Sequence, residues 1–416
     1  MPLFLFSSRS QGKFNNSKLI FSLPEIYSQV IMLELQLHER GKLEVDDAST
    51  KDILKRGFYG TYEGSKLELA VEEALYLIDV RNAECKHNGR KVTFNELANR
   101  LWKSNKFMAK YFTYKDWRER GLIAALPNHK YREPDSTAVK KYPASSLHLP
   151  KNKLHGVFFE SDLVTLLDED GAGKELYENF WFGQYGSYKA SERGILNKLD
   201  VYETLFLIEK KLLELRNIKK KDLLKLASAR REDFPSMYSV YSDWRSRGYV
   251  LKTGFKFGTH FRVYFPGAKP MSAGAKDWTH SKHVLQVFPK DSKLLISEWA
   301  RAIRVAHSVR KTFILAVPGK TNKGRQEIDY VLYHRHGGEA DNPQNATPKF
   351  AMLSLSEEEY IGGQEFANAI NEAKRKKLEL LLAIADRETA VTYYKVRQIL
   401  LPKSKHDYFE IDWLQP

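Results

Sequence analysis

Tyr264, His280 and Lys311 are the residues on which chemistry can rest. Tyr264 sits in the alternating stretch "FRVYF", His280 stands just before "HVLQVF", and Lys311 opens "KTFILAV". Adjacent antiparallel strands bring the end of one beside the start of the next, so the three can converge on one sheet edge. No carboxylate accompanies them, and no second histidine or cysteine has ligand spacing, which disfavours a metal centre. A set of this kind suits phosphodiester cleavage of RNA. RNA carries its own nucleophile, the 2′-OH. A base must remove its proton, an acid must protonate the leaving 5′-oxygen, and a cation must stabilise the charge on phosphorus.

The composition agrees with a polyanionic partner. The chain has 416 residues and a formal net charge of +15, with the positive residues spread along it rather than gathered in a tail. Its length allows two to four domains. No apolar run approaches the roughly 18–20 residues of a membrane span, and "MPLFLFSS" is too short for a signal peptide. Cys85 is the only cysteine, which excludes an intramolecular disulfide and fits a reducing cytoplasm. A DNA-directed nuclease would want clustered carboxylates for metal ions, and none is evident.

Two internal repeats supply the elements that position these residues. "FMAKYFTYKDWRERGLI" from Phe107 matches "FPSMYSVYSDWRSRGYV" from Phe234 at an offset of 127. "ISEWARAIRVAHSVRKTFILAV" from Ile296 matches "GQEFANAINEAKRKKLELLLAI" from Gly363 at an offset of 67. Amphipathic helical stretches, "LELAVEEALYLID" and "KLDVYETLFLIEKKL", precede the first pair. The fold class expected is therefore α+β or α/β, built from repeated two-domain units. Each unit has an N-terminal mixed α/β half and a C-terminal small helix-on-sheet half. The order along the chain is N, N, C, C.

The boundaries read as a first N half with its linker at 1–148 and a second N half at 149–250. A C half carrying the chemistry follows at 251–335, then a linker at 336–345 and a second C half at 346–416. This arrangement gives one complete unit flanked by two detached halves. The last C half has Thr347 and Leu378 where the first has His280 and Lys311. It retains apolar positions but not the chemistry, so it is expected to be silent. The Asp-Trp-Arg sets at 116–118 and 243–245 occur in both N halves and argue for fold. His260, His283 and His307 are expected to be structural.

The stretches "KTGFKFGTHFRVYFPG", "HSKHVLQV" and "ISEWARAIRVAHSVRKTFILAV" resemble the catalytic domain of archaeal tRNA-splicing endonucleases. "GFYGTYEGSKLELAVEEALYLID" resembles their N-terminal domain, and the N–N–C–C order is similar to the three-unit, homodimeric class. The loop from Phe265 to Thr279, with Lys269, Lys276 and Trp278, is longer than the family pattern. The resemblance implies a nuclease fold in the C halves, with Tyr264 as general base, His280 as general acid and Lys311 as electrostatic stabiliser. No metal or other cofactor is implied, and the products carry a 2′,3′-cyclic phosphate and a 5′-OH.

The implied substrate is precursor tRNA at a bulge–helix–bulge. Arg304 and Arg335 fall where the family grips an unstacked bulge base, and Asp386 and Glu388 where an acidic loop makes a dimer contact. The aromatic C-terminal segment, with Tyr408, Phe409, Ile411, Trp413 and Leu414, is expected to pack against another unit. The alternative is a non-catalytic RNA-binding or structural subunit, which need not keep the complete Tyr264, His280 and Lys311 set.

Overall fold

The computed structural model describes residues 32–416 except 103–105, 136–138, 169–170, 272–277, 320–323 and 325. The segment "MPLFLFSS" and Lys276 lie outside the described residues.

The chain folds into a mixed α/β architecture. Each N half is a small mixed sheet packed on a buried helix, Val71–Val80 in the first and Val201–Glu209 in the second. One glutamate fixes each helix start. Glu73 accepts from the amides of Ala70 (2.9 Å) and Gly60 (3.0 Å), and Glu203 from those of Asp200 (3.1 Å) and Gly183 (2.9 Å). The Asp-Trp-Arg motifs lie on the helices Phe107–Glu119 and Phe234–Arg245, with Trp117 and Trp244 fully buried. Arg118 donates to the Gly57 carbonyl (2.7 Å) and stacks on Tyr59. Arg245 donates to the carbonyls of Phe180 (2.8 Å) and Tyr249 (2.9 Å) and stacks on Phe182.

Both C halves share one long sheet. Its strands run, in spatial order, Val250–Thr253, Phe261–Tyr264, His283–Val287, Thr312–Val317 and Asp407–Leu414, then Val391–Leu400, Glu379–Ala385, Phe350–Ser356, Tyr330–Leu332 and Ala124–Ala125. The order is pseudo-symmetric about its two central strands. On one side His283–Val287 runs parallel to Thr312–Val317, joined by the helix Ile296–Ser308. On the other, Phe350–Ser356 runs parallel to Glu379–Ala385, joined by the helix Gly363–Arg375. Parallel neighbours need such a crossover, and the helix covers the sheet face that would otherwise be wet. A second junction pairs Lys293–Leu295 antiparallel with Tyr360–Gly362.

The two outer halves of the chain meet each other. Ala124 and Ala125, at the end of the first N half, pair with Leu332 and Val331. Tyr330–Leu332 in turn pairs with Phe350–Ser356. The halves that the sequence order leaves detached thus meet, as a second unit, at the far side of the same sheet. Matching hydroxyls fasten both units: Tyr393 donates to Asp116 (2.7 Å) and Tyr408 to Asp243 (2.7 Å). The linker docks where the units join. Lys140–Lys141 pairs with Ile399–Leu400, and Glu410 accepts from Lys140 (2.7 Å) and Tyr142 (2.5 Å).

The C-terminal aromatic strand Asp407–Leu414 packs against the first C half of its own chain, with Tyr408, Phe409 and Ile411 buried and Trp413 exposed. Among the described residues no helix is long and apolar enough to cross a membrane.

Candidate active site

Strand directions place the three candidate residues. Phe261–Tyr264 runs antiparallel to His283–Val287, with Val263 opposite His283, so Tyr264 ends where that strand begins. Thr312 lies beside His283 in the parallel pair, so Lys311 precedes the neighbouring strand at the same edge. His280 lies in the approach to His283–Val287 and is exposed.

Ser281 links the set. The Lys311 Nζ donates to the Ser281 carbonyl and to its Oγ (3.0 Å). Burial raises the Tyr264 pKa, while the nearby Arg262 cation and a hydrogen bond with Ser281 pull it down. Burial, and then Arg262, lower that of Lys311. Arg262 is two residues from Tyr264 on one strand and therefore shares its face. Its guanidinium lies 5.9 Å from the Tyr264 ring centre, and its Nε donates to the Thr253 carbonyl (2.8 Å). Trp181 packs on Tyr264 with ring centres 4.5 Å apart, and Phe257 lies 4.8 Å from the Lys311 Nζ.

A cavity of about 320 Å³ opens at this edge, lined by Tyr264, His280, Arg262, Trp181, Tyr188 and Trp278 among others. Lys311 is not in its wall and is held by Ser281. In that wall Glu203 accepts from Lys252 at 2.6 Å. A larger cavity of about 770 Å³ lies between the first N half and the second C half, lined by Glu72, Lys110, Asp329 and Arg375. It holds none of the three candidates, and its Lys110 and Asp329 pair at 2.8 Å. Among the described residues no group of three or more His, Cys, Asp or Glu is placed to hold a metal ion.

His260, His283 and His307 are engaged in packing and backbone contacts. His260 accepts from the Val287 amide (3.0 Å), His283 packs among Tyr142 and Phe265, and His307 accepts from the Trp413 amide (3.2 Å). Arg304 is exposed on its helix, and its charge acts on Glu357 and Tyr394 of the second C half. Arg335 is exposed and donates to the Arg120 carbonyl (2.6 Å). Neither arginine lines the cavity. Asp386 accepts from the amides of Glu388 and Ala390 (both 2.9 Å) and shapes its own turn, while Glu388 is exposed. Arg387, between them, is paired with Glu357 and Glu358.

A family model described as "tRNA intron endonuclease, catalytic C-terminal domain" matches residues 234–330, which contain all three candidates. The corresponding N-terminal domain matches residues 36–98. The chain is 38% identical to a tRNA-splicing endonuclease of Methanopyrus kandleri over 35% of its own length and 79% of the relative. It is 33% identical to one of Thermococcus kodakarensis, covering 39% of this chain and 89% of the relative.

The chain belongs to the tRNA-splicing endonuclease family. A member from Methanococcoides burtonii is 28% identical over 70% of this chain and 96% of its own length. The protein is thus an endoribonuclease of tRNA introns, with precursor tRNA as substrate. Sequence reasoning left Ser281 and Arg262 without a role, although both lie inside the stretches that carry the resemblance. The signal for Arg262 was its two-residue spacing from Tyr264. Ser281 had none, because its contacts are made across the sheet.

Proposed function

We propose that Tyr264, His280 and Lys311 cut precursor tRNA at bulge–helix–bulge junctions, without metal. Tyr264 takes the 2′-OH proton, and the 2′-oxygen attacks phosphorus. The bond to the 5′-oxygen breaks, and His280 supplies the proton that this oxygen needs. The products are a 2′,3′-cyclic phosphate and a 5′-OH. Lys311, fixed by Ser281, offsets the charge that builds on the phosphoryl oxygens. The single observation that carries this reading is the meeting of three strand ends at one sheet edge, bridged by Ser281.

The test is single-turnover cleavage of a short bulged RNA in EDTA. His280→Ala is expected to lose about 10²–10³-fold in rate while RNA affinity stays near that of the parent chain. Wild-type rates in that variant would remove His280 from the mechanism.

The same reading takes 251–335 as the catalytic domain, with its last strand Tyr330–Leu332 given over to the sheet of the silent partner 346–416, and 1–148 and 149–250 as their N halves. Releasing an intron needs two cuts, and one chain carries one such set, so the working particle is read as a closed homodimer in the cytoplasm. Arg304 and Arg335 would grip bulge bases, with Asp386 and Glu388 at the dimer contact. The outward exposure of Arg304, Arg335 and Glu388 supports these roles. Sedimentation of the chain with charges reversed at 386 and 388 tests the contact: a dimer that persists unchanged would exclude it.

A further inference from the structure

We propose that two turns beside the catalytic cavity form a second nucleotide subsite, which stacks the base of an unpaired nucleotide next to the scissile phosphate. This rests on the cleavage reading above. The first turn is Ser187–Ala190. Its ends exchange backbone hydrogen bonds (3.3 and 3.0 Å), and the Ser187 hydroxyl donates to the Arg193 carbonyl (3.0 Å). Lys189 takes a left-handed φ of 62°, which reverses the chain and leaves Tyr188 at the tip. The second turn is the short 3₁₀ segment Phe255–Phe257, ended by Gly258 at φ 64°. Its Phe257 faces Lys311, which ties the turn to the catalytic edge.

Both tips present aromatic rings to solvent. Phe255 is 85% exposed and Tyr188 60%. Cations surround them: the Nζ atoms of Lys256 and Lys189 lie 5.3 and 5.8 Å from the Tyr188 ring centre. Tyr188, Lys189, Lys198 and Arg262 line the same cavity as Tyr264 and His280, so the surface is continuous with the chemistry. Asp200 and Glu203 also line it. Glu203 is taken up by Lys252 and the Gly183 amide, and burial, with Glu203 beside it, pushes the Asp200 carboxyl pKa up. The accessible field is therefore positive.

Exposed rings among lysines fit a base whose phosphates are close by. Duplex bases are already stacked on one another, whereas an unpaired base has a free face that an aromatic platform can take up.

The second unit lacks the first turn and the aromatic tip of the second. Twenty residues, 181–200, connect the helices Ala172–Phe180 and Val201–Glu209. Only fourteen, 57–70, connect Ala48–Arg56 and Val71–Val80, and there the strands Thr61–Glu63 and Lys66–Leu69 close directly over Gly64 and Ser65. At the offset of 127, Phe255 corresponds to Asn128.

The test places 2-aminopurine in the bulge of a short RNA and reads its fluorescence on chains that carry His280→Ala, so that binding is seen without cleavage. Stacking is expected to quench the signal, and Tyr188→Ala together with Phe255→Ala to restore it. In the cleaving enzyme the same pair is expected to raise KM for the bulged RNA by about 10-fold or more. Affinity for an uninterrupted duplex should change little. Unchanged fluorescence and KM would overturn the subsite, and so would an equal loss on bulged RNA and duplex, which marks phosphate contact alone. Cleavage by His280→Ala at the parent rate would instead overturn the catalytic reading, leaving the fluorescence result to judge the subsite.

Discussion

The two C halves present the same strands and helix with different contents at one edge. The helices Ile296–Ser308 and Gly363–Arg375 are 67 residues apart, and so are the parallel pairs that they connect. At that offset His280 becomes Thr347 and Lys311 becomes Leu378. The preceding strand does not keep the spacing. Val263 pairs with His283, but Leu332 pairs with Phe350, which shifts the correspondence to 69. Tyr264 therefore corresponds to Tyr333. The partners agree, because Tyr264 lies opposite Val250 while Tyr333 donates its amide to the Ile123 carbonyl (2.9 Å). The second half kept a tyrosine and buried it, and the Tyr333 pKa is pushed up by that burial to about 12. On the proposed reading, that half would be silent through two replaced side chains and a tyrosine buried still more fully than Tyr264.

The largest expected effect separates function from packing. Lys311→Ala should lower the cleavage rate by about 10²–10³-fold, because a fixed electrostatic donor is lost. Its counterpart Leu378→Ala should leave the rate of folded enzyme unchanged and cost about 2–5 kcal/mol of stability, because a buried leucine becomes a cavity. Single-turnover kinetics and thermal melts on both variants read the contrast directly. Equal loss of activity in the two would mean that the second half does more than support the first.

A smaller effect tests the pseudo-symmetry itself. Tyr393→Phe and Tyr408→Phe each remove a hydroxyl from an Asp-Trp-Arg aspartate. Bonds to charged groups contribute about 1.5–3 kcal/mol, so chemical denaturation should show similar losses for the two. A loss confined to one would show that the units are fastened unequally.

A third effect is graded with pH and is larger in the first C half, although burial also lowers the pKa of the His334 imidazole of the other. Burial pushes the imidazoles of His260 and His283 down to about 4. Unfolded histidine titrates near 6.5, so between those values the unfolded chain binds protons that the folded chain refuses. Stability is present above about pH 6.5 and is lost as pH falls towards 4, by at most about 1.4 kcal/mol per unit for each histidine. Hydrogen exchange at pH 5 should loosen Phe261–Val287 before Tyr330–Ser356. His283→Phe, which installs the residue at Phe350, should flatten the dependence. A uniform response would point instead to carboxylates elsewhere.

Much of this was legible in the chain, for physical reasons. Helical spacing and strand alternation are local, so the helices at 296–308 and 363–375 and the strand ends that carry Tyr264, His280 and Lys311 could be read from pattern. The pairing of Ala124 with Leu332 joins distant residues through backbone groups alone, and no periodicity reports it. The two-residue slip that makes Tyr333 the partner of Tyr264 was hidden for the same reason, since register belongs to the sheet and not to the strand. The turn at Tyr188 was passed over because its significance lies in what it faces.

The nesting of the units also dictates an order of events during synthesis. The inner unit, residues 149–317, has its N half and first C-half strands contiguous in the chain, although its core is completed only by Tyr142, Ile399, Leu401 and Tyr408. The first N half has no partner until Tyr330–Leu332 has been made. The two strands at the middle of the long sheet, Val391–Leu400 and Asp407–Leu414, are translated after every other strand described. Until they arrive, Thr312–Val317 and Glu379–Ala385 are open edges, which invite pairing with another nascent chain. A ribosome stalled before residue 391 is therefore expected to hold a chain with an assembled catalytic edge and an unsealed, association-prone flank.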